Sequence, residues 1–166
     1  MDKPADRTDL SEGPNEPSDM LLLEQFLPYR LSVLTNTVSS TLAGEYQARF
    51  GMSVPQWRVM AVLGRFPDLS ASEVAEKTAM DKVMVSRAVA ALIDAGRIDR
   101  RMDDTDRRRS VLRLSAAGRA VYDEIVPIAR AYERRLLAAL NADDAAVLDR
   151  ILKKLQARAG QLADDI

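Results

Sequence analysis

The 166-residue sequence has no cysteine, which excludes disulfides, thiol-based redox sensing and sulfur ligation of zinc. Histidine is missing too, and with it go the commonest metal ligand and the commonest general base. Catalysis would have to run on Asp, Glu or Lys alone, and no carboxylate pair stands out from the ordinary helix charges. The sequence therefore reads as a non-enzyme with no metal and no cofactor. Aromatic residues make up only 5%, a level that suits helices packed with Leu, Val and Ala. No apolar run approaches the roughly 18 residues of a membrane span. No basic region followed by an apolar one opens the chain. A soluble, cytoplasmic protein without membrane contact is the expectation.

What is present is 47% hydrophobic and 30% charged, enough for about one domain with a real core. The net charge of −1 argues against a uniformly basic nucleic-acid binder, but the charge is unevenly spread. Residues 1–19 hold Asp2, Asp6, Asp9, Glu12, Glu16 and Asp19 against Lys3 and Arg7, a net −4. With Pro4, Gly13, Pro14 and Pro17 among them, they read as a disordered acidic tail. Positions 97–113 hold seven arginines against four aspartates, a net +3. Positive charge is local, as docking on phosphates requires.

The organising stretch runs from Ser70 to Ser115. Ser70-Ala71-Ser72-Glu73 is a Ser-x-x-Glu capping box that predicts a short helix fading at Lys77-Thr78-Ala79. Asp81 caps a second helix that runs to Gly96, a residue suited to follow a helix end. Two capped helices so close together read as a helix-turn-helix. In the second, Val85, Val89, Leu92 and Ile93 form one apolar stripe. Val83, Ser86, Arg87 and Ala90 face the other way, with Lys82 in the first turn. A face of small residues around one arginine fits the major groove, where Arg or Lys pairs with guanine O6 and N7. Arg97–Met102 and Ser110–Leu114 are short strand candidates, joined by a polar turn holding Arg107, Arg108 and Arg109. A basic-tipped hairpin directly after a helix-turn-helix makes a winged helix, its tip placed to reach phosphates or the minor groove.

These residues resemble the MarR (multiple antibiotic resistance regulator) family of bacterial transcription regulators. The likeness is carried by Asp106-Arg107-Arg108-Arg109-Ser110-Val111-Leu112-Arg113-Leu114-Ser115, similar to the family's wing pattern of Asp-x-Arg, an apolar strand and Leu-Thr. The Asp81–Gly96 helix with Ser86-Arg87 adds to it, and flanking helices extend the match from about Leu21 to Leu162. Ser115 stands where the family has Thr and keeps the hydroxyl. The resemblance implies a sequence-specific regulator, a repressor released by a small, often phenolic or carboxylated, ligand, with an aromatic carboxylate as the candidate here. By the same resemblance Arg108 enters the minor groove with Asp106 as its brace, while Arg107 and Arg109 flank it and touch phosphates or water. Lys82, Val83, Ser86 and Arg87 read bases, and Ser70 joins the DNA-binding set.

Around this unit lie further helices. Leu27, Leu31, Leu34, Val38, Leu42 and Tyr46 recur at helical spacing over a segment starting near Pro28 and ending near Phe50-Gly51. Ser53-Val54-Pro55-Gln56 is another capping box, opening a helix that stops at Phe66-Pro67. Ser115 caps a fifth helix with Pro127 inside it, and Asn141 or Asp143 starts the last one. The fold class is mainly α: a winged helix-turn-helix over 53–115 with a small β-hairpin wing, and helical regions over 20–50 and 116–166. The terminal helices have wide apolar faces that a single chain cannot bury, which predicts a homodimer on a pseudo-palindromic operator. The resemblance agrees, assigning them to a dimerisation domain, and it places an effector pocket among the first, second and fifth helices. Tyr29, Arg30, Trp57 and Arg58 are the candidates there, an arginine suiting an anionic carboxylate. A winged-helix module that binds protein rather than DNA is the alternative, because fold alone does not fix function.

Overall fold

A computed structural model describes residues 20–102 and 109–164. The chain divides into two compact units, one up to Thr37 and one from Val38 onward. The acidic tail over 1–19 lies outside the described residues. Helix α1 spans Leu27–Phe50, α2 Val54–Arg65, α3 Ala71–Thr78 and α4 Lys82–Asp94. Strands β1 (Ile98–Met102) and β2 (Ser110–Leu114) follow, then α5 (Ala116–Leu137) and α6 (Ala142–Asp164). No helix among the described residues is long and apolar enough to cross a membrane.

In the unit up to Thr37 a turn feeds the first helix: Phe26 N–H donates to Leu22 O at 3.0 Å, and Arg30 N–H to Phe26 O at 3.1 Å. Its apolar side chains, including Leu21, Phe26, Leu31 and Leu34, are exposed.

In the second unit the caps form where the sequence puts them. Gln56 N–H donates to Ser53 Oγ at 3.4 Å while Ser53 N–H donates to Gln56 Oε1 at 2.7 Å. Ser70 and Glu73 exchange the same pair of bonds at 3.3 and 2.7 Å. Asp81 Oδ1 accepts from Met84 N–H at 2.8 Å. These satisfy N–H groups that a helix start leaves without internal partners. At the end of α4, Gly96 takes φ +67°, its N–H donates to Ile93 O, and Arg97 N–H donates to Leu92 O, both at 2.8 Å. That is a Schellman close, which favours glycine at the left-handed position. Ala79 takes the left-handed conformation (φ 51°) between α3 and α4, where a Cβ is costly, and so turns the chain tightly between them. Asn141 starts α6, its Oδ1 accepting from Asp144 N–H at 2.8 Å.

The strands pair antiparallel from Ile98 opposite Leu114 to Met102 opposite Ser110. Leu69 adds a one-residue bridge to Leu112, which pins the loop before α3 to the hairpin. The core joins Val59, Met60 and Leu63 of α2, Val74 of α3, and Val85, Val89 and Leu92 of α4 to Ile98 and Leu112 of the hairpin. Tyr46 of α1 and Ile125 of α5 close it. Ser115 Oγ accepts from Gly118 N–H at 3.0 Å and donates to Gly96 O at 2.7 Å. A Cβ on Gly118 would stand 1.9 Å from Arg97 O, so only glycine lets α5 start this close to the hairpin. Helix α5 continues past Pro127. In α6, by contrast, no described side chain is fully buried.

Candidate nucleic-acid interface

Helix α4 sorts its residues cleanly. Val85, Ala88, Val89 and Leu92 are buried, whereas Lys82, Val83, Ser86, Arg87 and Ala90 are exposed. The four base-reading candidates from the sequence therefore share an open face. Val83 is 59% exposed, high for a valine, and an apolar tip beside Arg87 suits the methyl group of thymine. The α4 N-terminus adds the positive end of the helix dipole to Lys82, a setting favourable to phosphate.

The wing is held against the helix-turn-helix by two carboxylates. Asp68, at φ +62°, sits in the left-handed region that Asp tolerates better than most residues. Its Oδ1 accepts from Arg113 Nε at 2.8 Å and Nη2 at 2.6 Å, and from Arg101 Nη2 at 3.2 Å. Its Oδ2 accepts from Arg113 Nη2 at 2.5 Å. Arg101 lies opposite Val111, two residues from Arg113, so both arginines stand on one sheet face and converge on one acid. Hydrogen bonds from Arg113, reinforced by the charges of Arg113 and Arg101, lower the Asp68 pKa.

Glu73 is the second brace. It caps Ser70 and also accepts a hydrogen bond from Arg109 Nη2 at the foot of β2. The Ser70 hydroxyl and N–H, then Arg109, lower its pKa from 4.5 to about 2. A carboxylate accepting several donors stays ionised far into acid.

This changes the electrostatic reading of the wing. Arg109, expected to touch phosphates or water, bonds to Glu73, and Ser70 is committed to its helix cap through the same carboxylate. Arg97 donates from Nη2 to Phe50 O at 2.6 Å, tying the end of α1 to the root of the hairpin. Much of the local +3 therefore works inside the protein, positioning the wing, because Asp68 and Glu73 lie outside the counted stretch. Asp106, Arg107 and Arg108 fall outside the described residues. Asp68, Glu73, Arg101 and Arg113 were not singled out from the sequence for these roles. Their only local signal is Asp68 after Pro67 at a chain reversal.

The effector candidates divide between the units. Tyr29 and Arg30 are exposed in the unit up to Thr37. In the other unit the Trp57 ring lies between Tyr46 and Tyr122, with both centroid distances 5.9 Å. Beside it Arg58 Nη2 donates to Ser39 Oγ at 3.3 Å. Burial raises the Tyr46 pKa, opposed by the charge of Arg58.

The model of the MarR family matches residues 50–109, from the last residue of α1 to the residue before β2. Rv2887 of Mycobacterium tuberculosis, an HTH-type transcriptional repressor, is 29% identical over 131 residues, covering 78% of this chain and 91% of that protein. Among solved structures, a MarR family transcriptional regulator from Silicibacter pomeroyi DSS-3 is 30% identical, with a TM-score of 0.73 over 84% of this chain and 99% of that one. The PcaV transcriptional regulator of Streptomyces coelicolor, solved with its natural ligand, is 27% identical, with a TM-score of 0.69 over 84% and 98% of the two chains. Sequence likeness and superposition reach across the helix-turn-helix, the hairpin and the helices around them, and the chain belongs to the MarR family of winged-helix, DNA-binding transcription regulators.

Proposed function

We propose that the protein acts as a homodimeric repressor that lays α4 of each protomer in the major groove of a pseudo-palindromic operator. The observation that carries this is the open face of α4, Lys82, Val83, Ser86 and Arg87, set beside a wing fixed by Asp68 and Glu73. Arg87 pairs with guanine, Lys82 meets phosphate, and Arg108 is the wing arginine that enters the minor groove with Asp106 as its brace. Two such heads on a two-fold axis read half-sites about one helical turn, roughly 10 base pairs, apart. Rv2887 is by its name a repressor, which favours repression here.

A small effector completes the reading. PcaV was crystallised with its natural ligand, and here Arg58, Ser39, Tyr46 and Trp57 bring a cation, a hydroxyl and aromatic rings together. Such a group suits an aromatic carboxylate. The test is a salt titration of binding to duplexes selected from a random pool. Phosphate neutralisation gives an affinity that falls linearly in log–log form with salt. Salt-insensitive binding, or none, would instead point to a winged helix that docks on protein.

A further inference from the structure

The six methionines among the described residues fall into two classes. Met52, Met60 and Met80 are buried, at no more than 8% exposure, whereas Met20, Met84 and Met102 are 67%, 41% and 52% exposed. Two of the open three belong to the DNA-binding unit: Met84 in the first turn of α4, and Met102 at the last residue of β1. In a chain without cysteine, the exposed thioethers are the softest nucleophiles that an oxidant meets.

Met84 has a particular setting. It lines a groove of about 340 Å3 with Pro55, Val83, Arg87 and Ala88, among others. Met84 and Arg87 are three residues apart on one helix and so are neighbours on its surface. We propose that Met84 is an oxidation site through which hydrogen peroxide loosens the protein from its operator, a proposal that rests on α4 being the DNA-reading helix.

The chemistry balances without another partner. A sulfur lone pair attacks one peroxide oxygen and the O–O bond breaks. The attached oxygen loses its proton to the departing oxygen, which leaves as water. Sulfur is oxidised by two electrons and peroxide reduced by two. The product replaces a weak acceptor with a strongly polar S–O group beside Arg87. The sulfoxide oxygen accepts from the guanidinium, diverting N–H donors that would otherwise pair with guanine, and it sets a polar group in the groove that Val83, Pro55 and Ala88 also line. Core methionines are shielded from the same reagent, so the change is confined to the surface.

The full-length protein is treated with hydrogen peroxide, each sulfoxide is quantified by mass spectrometry, and operator affinity is followed in parallel. Met20, Met84 and Met102 should convert before the buried three. Affinity should fall with Met84 conversion by about tenfold, the weight of one good bidentate base contact. Methionine sulfoxide reductases should restore it, one for each epimer. Oxidation should cost Met84→Leu none of its own affinity. Met84→Gln, which places a neutral acceptor there, should bind weakly without oxidant, and Met102→Leu should respond as the wild type does. Full conversion of Met84 without loss of affinity, or an equal loss in Met84→Leu, overturns the proposal. Absence of operator binding before oxidation would instead sink the DNA-reading role itself.

Discussion

Between Val54 and Leu114 most of the large apolar side chains go into one core: Val59, Met60, Leu63, Val74, Val85, Val89, Leu92, Ile98 and Leu112 are all buried, with Tyr46 of α1 and Ile125 of α5 closing it. Helix α6 is as regular and nearly twice as long as α4, yet Val147, Leu148, Ile151, Leu152 and Leu155 remain 37–43% exposed along one side of it. Short capped helices and a hairpin fill a core that α1 and α5 close, while the stripe of the long amphipathic α6 stays open among the described residues. Full burial of a side chain of this size is worth about 1.5–3 kcal/mol, so the stripe is a strong drive toward association. The winged unit has its apolar surface largely covered; the last helix has a stripe left to cover, and the proposed occupant is its own copy.

That contrast breaks first in the core. Leu92→Ala removes a fully buried side chain and should cost about 2–5 kcal/mol of stability, measured by urea unfolding followed by circular dichroism. Leu152→Ala, cut from the open stripe, should cost far less in the dissociated chain. Equal costs would erase the distinction between the two regions. Next comes assembly. Ile151→Asp puts a charge in the middle of the stripe and should leave the winged unit folded while light scattering at micromolar concentration shifts from dimer to monomer. A dimer that survives unchanged places the interface elsewhere.

The smallest effect sharpens the head itself. The folded pKa of Glu73 is held near 2 against an ordinary 4.5. A depressed carboxylate pKa gives stability that is fully present above the unfolded value and is lost as pH falls toward the folded one. In the window from about pH 4.5 down to about 2, the wild type should therefore lose a stability increment that Glu73→Gln does not. The pair is 39% exposed on both sides, so solvent screening keeps the increment below about 1 kcal/mol. A Glu73→Gln acid limb identical to the wild type's would mean that the ionised carboxylate, held by Ser70 and then by Arg109, contributes nothing.

Much of the fold was legible because its signals are local. Ser53, Ser70, Asp81 and Ser115 each name a helix start through a bond to a residue three positions on. Gly96 names an end through a left-handed φ. The outward face of α4 followed from helical period alone. The braces were not legible, since Asp68 meets Arg113 across 45 residues and Glu73 meets Arg109 across 36. No periodicity marks such pairs, and until they are seen the arginines 101, 109 and 113 count as free positive charge. The same blindness hid the second role of Glu73, whose capping position explained it already.

The central claim is that the outward face of α4 reads bases, and one measurement addresses it most directly. Affinities of wild-type protein and Arg87→Ala are compared across every single-base variant of a selected operator. The account predicts that Arg87→Ala loses about 1–3 kcal/mol on the selected operator and that its discrimination collapses at one position in each half-site, with the others preserved. A loss spread evenly over all variants would make Arg87 a phosphate contact and contradict the assignment of α4 as the reading helix.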